Sequence, residues 1–193
     1  MEKTWRKARS TIDRKGDIAP IRSFINQIVS CEGVSRAPSG SGGIVMSNEF
    51  VGVYAGDVDP AEAWASLVSN EHAILVDVRT RAEWAFVGLP ALAGIGKQPI
   101  TLEWQIFPTM TVNPDFVAIL DEALTTAGVS RDVPIHFLCR SGQRSRFAAV
   151  AMTAAGWSRC FNISEGFEGG LDGEGHRGRV SGWKMRGLPW SQT

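Results

Sequence analysis

The chain contains few cysteines and few histidines. Among its 193 residues there are three cysteines and three histidines, and no two cysteines form a Cys-x-x-Cys pair. A disulfide framework needs more cysteines at closer spacing, and a structural zinc site needs four thiolate or imidazole ligands. The sequence therefore argues against both, and we expect no metal site.

Long apolar runs and an excess of charge are also missing. No apolar run reaches the length of about 18 residues that a membrane-spanning helix needs. Lys plus Arg and Asp plus Glu number 20 each, and this balance gives no reason to expect nucleic acid or membrane as a partner. A hydrophobic content of 44% is typical of globular proteins. We expect a soluble, cytoplasmic protein.

Residues 1–47 differ in composition from the rest of the chain. The first twenty residues are rich in Lys and Arg, and residues 35–43 have the composition of a flexible linker. Acidic residues among the first twenty argue against an organelle transit peptide. We expect residues 1–47 to be a basic, flexible extension, in which Met46 is a candidate natural start, and residues 48–193 to be the domain.

From about residue 50, apolar runs of strand length alternate with helix-like segments. Strands are predicted within residues 72–79, 98–104, 133–139 and 159–167, and helices within residues 59–69, 80–88, 113–128 and 144–156. Strands that alternate with helices at short separations pair in parallel, which predicts an α/β domain. Ligands of such domains bind beyond the carboxyl ends of the strands.

Three of the predicted helices begin with recognisable capping residues. Asp59 precedes Pro60, and Asn113 precedes Pro114, so each pair predicts an N-cap followed by proline at the first helical position. Thr80 begins the stretch TRAE, which has the spacing of a capping box.

A short polar loop connects the strand VPIHFLC to the helix that follows it. Ser141 and Gly142 allow this loop to curl tightly, and the start of the helix directs backbone N–H groups and a partial positive charge into it. Arg140 and Arg144 add two cations. Such a loop favours a thiolate, so Cys139 is a candidate nucleophile, and the same loop could hold an anion.

Cysteine at the end of a strand has a simpler interpretation, which is a small buried apolar residue. Three interpretations of Cys139 are therefore open: a structural thiol, a phosphatase loop and a sulfur-carrying loop. Cys160 has strand neighbours and no glycine-rich loop, so we expect it to be a core residue. Cys31 is expected to be an incidental thiol of the extension.

Four motifs, in the same order along the chain, resemble those of a single-domain rhodanese. They are DVRTRAEW (77–84), CRSGQRS (139–145), NISEGFEGG (162–170) and GWKMRGLPW (182–190). The resemblance covers about residues 53–190. It implies a three-layer α/β domain with a central, mainly parallel five-stranded sheet flanked by helices.

The resemblance also implies an activity. Rhodaneses take sulfane sulfur from a donor such as thiosulfate, hold it as a cysteine persulfide and pass it to an acceptor such as cyanide or a protein thiol. By this resemblance Cys139 is the catalytic sulfur carrier and no cofactor is needed. The implied partners are a small anionic sulfur donor and a possible protein donor or acceptor. The substrate-binding residues would be Arg140, Ser141, Gly142, Gln143, Arg144 and Ser145.

Asp77 and Arg79 match the Asp-x-Arg element of the family, which braces the active-site side of the sheet. Glu83 follows in the same motif, and we interpret it as a helix cap.

Two other functions remain alternatives. The first is a rhodanese-fold phosphatase or arsenate reductase. Rhodanese-like dual-specificity phosphatases resemble this loop but place five residues between cysteine and arginine. Here four residues separate Cys139 from Arg144, and this shorter loop suits a sulfur atom better than a phosphoryl group. A non-catalytic binding or regulatory module is the second alternative, although inactive domains of this kind generally lack the cysteine.

The sequence departs from the rhodanese pattern in two places. Residues 171–181, LDGEGHRGRVS, are inserted before the final tryptophan motif. Arg177 or Arg179 could line the mouth of the site, or the segment could be a solvated surface loop. Leu89 stands where rhodaneses often have a histidine, so this position can supply no acid or base.

Overall fold

The computed structural model describes residues 52–192 of the chain. The predicted basic extension, with Met46 and Cys31, lies outside these described residues.

Short strands and four α helices make up the described part of the chain. In chain order they are β1 (Gly56–Val58), α1 (Pro60–Ser69), β2 (Ile74–Asp77), α2 (Arg81–Val87), β3 (Leu89–Pro90), a 3-10 turn (Ala93–Ile95), β4 (Ile100–Thr101), β5 (Gln105–Ile106), β6 (Thr111–Val112), α3 (Phe116–Thr126), β7 (Ile135–Leu138), α4 (Gln143–Ala154), β8 (Cys160–Ile163) and β9 (Trp190–Ser191).

The central sheet has five strands in the order β1-β8-β7-β2-β4, and every neighbouring pair is parallel. This confirms the five-stranded, mainly parallel sheet. The last residue of β2, Asp77, pairs with the last residue of β7, Leu138. The chain segments that follow these two strands therefore leave the sheet side by side.

Side chains of the central strands alternate between two apolar cores. Val76 and Phe137 pack with α3 and α4 on one face, whereas Leu75 and Leu138 pack with α1 on the other face. Strands of a parallel sheet that are buried on both faces read as continuous apolar runs, which is the pattern of ILVD and IHFL. The three-layer α/β architecture is therefore confirmed.

Two of the three predicted helix starts are confirmed. Asp59 caps α1 and Thr80 caps α2, each in a complete capping box with the glutamate three residues later. The predicted N-cap Asn113 is wrong, because α3 begins at Phe116 after the N-cap Asp115.

Other hydrogen bonds use the side chain of Asn113. Its Oδ1 accepts from the amide of Asp115 at 3.1 Å and its Nδ2 donates to the carbonyl of Glu103 at 3.1 Å. Asn113 therefore stabilises a turn that precedes α3, and the helix begins later than the proline suggests.

Two further strand pairs flank the central sheet. β5 and β6 form an antiparallel hairpin, and β3 pairs with β9 near the carboxyl end of the described chain. Within residues 52–192, no helix has both the length and the apolar character that crossing a membrane requires.

Candidate active site

Cys139 lies directly after β7, at the carboxyl end of the central sheet. It is only 1% exposed, yet it lines a pocket of about 520 Å³. Residues from α2, the β5–β6 hairpin, the loop that contains Cys139 and the segment after β8 line this pocket. A nearly buried sulfur atom therefore lies beside a space that can receive a small molecule.

Two donors are directed at the sulfur of Cys139. The amide of Gly142 and the hydroxyl of Ser145 each lie 3.1 Å from Sγ. α4 begins at Gln143, so the amides of its first turn have no acceptor within the helix and add positive charge beside the sulfur. This arrangement favours a negative charge on the sulfur of a thiolate or a persulfide.

The hydroxyl of Ser145 has a second acceptor, Oδ1 of Asn162 at 2.7 Å. A serine hydroxyl carries one hydrogen, so it can donate to only one of the two acceptors at a time. When Cys139 is a thiol, its S–H can donate to Ser145 while Ser145 donates to Asn162. When Cys139 is a thiolate, the hydroxyl can turn to the sulfur.

Asn162 is itself held in one orientation. Its Nδ2 donates to Oδ1 of Asp57 at 2.8 Å, and the hydroxyl of Tyr54 donates to the same oxygen at 2.6 Å. Ser145 and Asn162 are buried, whereas Asp57 is exposed. A chain of hydrogen bonds therefore connects the buried sulfur with the outer edge of the sheet at β1.

Close contact between two chain segments fixes the shape of the loop. Gly142 has a φ of 93°, and a Cβ at this position would lie 2.0 Å from the carbonyl oxygen of Ser164. The amide of Phe167 donates to the carbonyl of Cys139 at 2.8 Å, and the amide of Glu168 donates to that of Arg140 at 2.9 Å. In a trans peptide the N–H points away from the C=O of the preceding residue. The amides of Arg140 and Ser141 are therefore turned away from the segment that contains Phe167 and Glu168.

Arg144 forms a two-pronged ion pair with Glu83. The two Nη–Oε distances are 2.8 Å and 2.6 Å, and both side chains are mostly buried. Burial alone would raise the pKa of Glu83, but hydrogen bonds from Arg144 and Thr80 outweigh it and lower this pKa to about 2. The structure therefore places Arg144 at the pocket with a carboxylate as its partner.

Other predicted binding residues surround the same space. Ser141 and Gln143 line the pocket, and so does Arg140, which is exposed. Of the two arginines in the inserted segment, Arg177 lines the pocket and donates to the carbonyl of Gly169 at 2.6 Å.

Arg179 has a different environment. Its Nη1 contacts the carboxylates of Asp172 and Glu174 at 3.2 Å and 3.0 Å, and it is not among the pocket-lining residues. The inserted segment therefore contributes Arg177 to the pocket, whereas Arg179 forms ion pairs within the segment.

Asp77 and Arg79 form a fully buried ion pair outside the pocket. Arg79 Nε lies 2.9 Å from one carboxylate oxygen of Asp77, and Nη2 lies 2.6 Å from the other. Nη2 also donates to the carbonyl of Gly88 at 2.7 Å, and the guanidinium lies 3.9 Å from the ring centroid of Phe167. The pair thus connects the end of β2 with the segments that follow α2 and β8.

The sequence alone does not reveal several features of the site. Glu83 has the position of a helix cap in the sequence, and its pair with Arg144 across 61 residues has no local signal. Asn162 belongs to a recognised motif, but nothing in the sequence connects it with Ser145. The apolar pocket residues Phe107 and Met110 lie on a hairpin that the sequence did not predict.

Comparison with known proteins places this site in a family. A profile of the Rhodanese-like domain matches residues 59–172. An uncharacterized protein of Rickettsia conorii is 43% identical over 129 residues, which are 67% of this chain and 91% of that protein. An uncharacterized protein of Rickettsia prowazekii is 40% identical over the same shares.

A solved structure is also similar to this chain. The crystal structure of Rv0390 from M. tuberculosis has 46% sequence identity and a TM-score of 0.66, and it covers 73% of this chain and 100% of its own. The profile match extends over more than half of the chain, and the Rickettsia proteins match along most of their length. The chain therefore belongs to the rhodanese-like domain family.

Proposed function

We propose that the protein is a sulfurtransferase that carries sulfane sulfur as a persulfide on Cys139. The donor is an anion such as thiosulfate, and the acceptor is a thiophile such as cyanide or a protein thiol. The observation that carries the proposal is the pair of donors, Gly142 N–H and Ser145 O–H, at 3.1 Å from Sγ in a loop that lines a pocket. Membership in the rhodanese-like family supports the same activity.

The first half-reaction loads the cysteine. The thiolate of Cys139 attacks the outer sulfur of thiosulfate, a new S–S bond forms, and the S–S bond of the donor breaks as sulfite leaves with the electron pair. The exposed guanidinium of Arg140 and the pocket-lining Arg177 offset the repulsion between the thiolate and the anionic donor.

The second half-reaction regenerates the thiolate of Cys139. Cyanide attacks the terminal sulfur of the persulfide, thiocyanate forms, and Cys139 leaves as a thiolate. The loop amides and Ser145 stabilise the negative charge on sulfur in both directions. Because one covalent intermediate connects two half-reactions, we expect ping-pong kinetics.

This reaction requires a free thiol, which a reducing compartment maintains. Cys139 and Cys160 are free thiols, and the glutathione and thioredoxin systems of the cytosol keep thiols reduced. Our proposal therefore includes the cytoplasm as the compartment and a protein thiol as a physiological acceptor.

Intact mass spectrometry tests the proposal. We expect the purified, reduced protein to gain the mass of one sulfur atom with thiosulfate and to lose it with cyanide, as thiocyanate is released. Cys139→Ser should gain no sulfur. A wild-type protein that is reduced and accessible at Cys139 but never loaded would favour a phosphatase or a non-catalytic binding module instead.

A further inference from the structure

A row of hydrogen-bonded side chains leads from the edge of the sheet to the sulfur of Cys139. In the parallel pairing of β1 with β8, Asp57 lies beside Asn162. Asn162 is 2% exposed and contacts Ser145 on α4, whose hydroxyl lies 3.1 Å from Sγ. The two half-reactions proposed above use neither Asp57 nor Asn162, so their place in this row needs another explanation.

Asp57 determines how the amide of Asn162 is turned. Oδ1 of Asp57 accepts from Nδ2 of Asn162 at 2.8 Å. A carboxylate has no hydrogen to donate, so it must face the amide nitrogen of Asn162 and not the amide oxygen. Oδ1 of Asn162 is thereby directed towards Ser145, at 2.7 Å from its Oγ.

The hydroxyl of Tyr54 donates to the same oxygen of Asp57 at 2.6 Å. Partial burial and the hydrogen bond to Asp57 raise the pKa of Tyr54, although Arg146, 5.9 Å from the ring centroid, acts in the opposite direction. The phenol therefore keeps its proton at neutral pH and acts as the donor. Two donors directed at one atom favour an oxygen at that position.

The oxygen of Asn162 competes with the sulfur of Cys139 for one hydrogen. The hydroxyl of Ser145 has a single hydrogen and two acceptors within reach, at 2.7 Å and 3.1 Å. If the hydrogen turns to a thiolate, the buried oxygen of Asn162 loses this donor, which costs free energy. The thiolate therefore forms at the expense of the bond between Ser145 and Asn162.

A half turn of the Asn162 amide would remove this competition. Its Nδ2 would then donate to Oγ of Ser145, and the hydrogen of Ser145 would be left for the sulfur. Asp57 opposes the half turn, because the amide oxygen would then face a carboxylate oxygen where Nδ2 now lies at 2.8 Å.

The other charged groups around the sulfur are unchanged when Asp57 is replaced. Arg144 interacts electrostatically with Cys139 and is paired with Glu83. The remaining groups lie at the end of β2 or line the pocket, and they are Asp77, Arg79, Arg140, Glu168 and Arg177. Variants of Asp57 therefore compare the same surroundings of the sulfur with and without a held amide.

We propose that Asp57 is a positioning residue that acts on Cys139 through Asn162 and Ser145. By holding the amide of Asn162, the carboxylate limits the share of Cys139 that is thiolate at neutral pH and so restrains the reactivity of the free protein. This inference rests on the proposed role of Cys139 as the sulfur carrier, but its test does not require sulfur transfer.

Site-resolved alkylation with iodoacetamide tests the inference. The thiolate displaces iodide, so the rate at neutral pH reports the share of thiolate, whereas the rate at high pH, where the thiol is ionised, reports access. In Asp57→Ala the amide of Asn162 is no longer held. We expect Cys139 of this variant to react about fivefold faster than in the wild type at neutral pH, as is typical of one hydrogen bond. At high pH the two proteins should react equally fast.

Two further variants separate the turned amide from the charge of Asp57. Asp57→Asn keeps an oxygen at the position to which both donors point, so its rate should stay within about twofold of the wild type although the charge is gone. In a Ser145→Ala background, Asp57→Ala should change the rate by less than about twofold, because the hydroxyl that transmits the effect is missing.

A matched control uses the same substitution elsewhere. Asp115 is exposed, and within residues 52–192 its side chain makes no capping hydrogen bond, so Asp115→Ala should leave the alkylation of Cys139 unchanged. Asn162→Leu is a second test variant if Asp57→Ala fails to fold, since it removes the competing oxygen itself and should also speed the reaction. Cys160 is the internal reference in each protein, because partial unfolding would expose both thiols.

The outcomes separate this inference from the proposed function. A Cys139 that reacts no faster in Asp57→Ala, or faster by the same factor at neutral and high pH, would overturn the inference. Equal gains in Asp57→Ala and Asp57→Asn, or a gain that persists without the Ser145 hydroxyl, would overturn it as well, since either would assign the effect to charge. Failure of thiosulfate to load the wild type would overturn the sulfurtransferase function and not the restraint on the thiolate.

Discussion

Two cysteines of this domain occupy equally buried positions and have different surroundings. Cys139 is 1% exposed and Cys160 is 0% exposed, and both pack into the same apolar core. They lie at opposite ends of adjacent strands, because Cys160 pairs with Ile135 at the start of β7 whereas Cys139 follows the end of β7.

The surroundings of the two sulfur atoms differ in the number of donors. Cys139 accepts from Gly142 and Ser145. The thiol of Cys160 donates to the carbonyl of Trp157 at 3.4 Å. Burial raises the pKa of Cys160 to about 11, although a hydrogen bond with Thr153 acts in the opposite direction. Burial therefore does not distinguish the two thiols, whereas position on the sheet and directed donors do.

The largest expected effect comes from replacing each cysteine in turn. Cys139→Ser should lower kcat/KM for sulfur transfer by at least about a thousandfold, because it removes the nucleophile. Cys160→Ala should retain sulfur transfer within about threefold and lower the melting temperature, because it leaves a small cavity in the core. A steady-state assay and a thermal melt of both variants check this contrast. Equal losses of activity in the two variants would contradict this contrast.

A second test distorts the loop and leaves the sulfur in place. In Gly142→Ala the new Cβ meets the carbonyl of Ser164, and the backbone is in a region that side-chain residues avoid. We expect a loss of stability of about 2 kcal/mol or more, together with a loss of persulfide formation. Gly173→Ala is the control, since nothing lies within 4 Å of its Cβ position. Chemical denaturation and mass spectrometry give the two readouts, and wild-type behaviour of Gly142→Ala would contradict the account of the loop.

A smaller effect is expected from removing one donor to the sulfur. In Ser145→Ala, the reaction of Cys139 with iodoacetamide at neutral pH should slow by about tenfold, as is typical for loss of one hydrogen bond to a charged group. Ser145→Thr keeps the hydroxyl and should react nearly as the wild type does. Site-resolved alkylation rates of Cys139 in the three proteins provide the measurement. Equal rates in all three would show that the hydroxyl does not distinguish Cys139 from Cys160.

The smallest effect concerns the ion pair beside the loop. The pKa of Glu83 is about 2 in the folded protein against an ordinary value of 4.5, so the folded state releases this proton more readily than the unfolded state does. The stabilisation is present above pH 4.5 and is lost as the pH falls from 4.5 towards 2. The difference in melting temperature between wild type and Glu83→Gln should therefore be largest near neutral pH and should shrink in acid.

Glu122→Gln, on the exposed side of α3, serves as the control for this experiment. Scanning calorimetry at a series of pH values follows the difference for each variant. A difference between wild type and Glu83→Gln that does not change with pH would indicate that the pair with Arg144 does not stabilise the fold.

Much of the sheet could be predicted from the sequence, because its strands are buried on both faces. The runs ILVD and IHFL are continuously apolar apart from single polar residues, and helices separate them. The loop that contains Cys139 could be located for the same reason, since it follows one of these runs. The family motifs then supplied the number of strands.

The remaining elements depend on contacts between distant residues. The hairpin of β5 and β6 and the pair of β3 and β9 consist of two-residue strands, which are too short to produce a periodic pattern. The partner of Arg144 could not be predicted, because Glu83 already satisfied the local capping pattern. The sequence can identify a charged residue, but its partner is determined by packing.

We propose that the surroundings of Cys139, and not its burial, make it the sulfur carrier. Peptide mapping by mass spectrometry tests it most directly, after the native wild type has been incubated with thiosulfate and its thiols have been trapped by alkylation. We expect one additional sulfur atom on the peptide that contains Cys139 and none on the peptide that contains Cys160. Sulfur on Cys160, or none on a reduced and accessible Cys139, would contradict it.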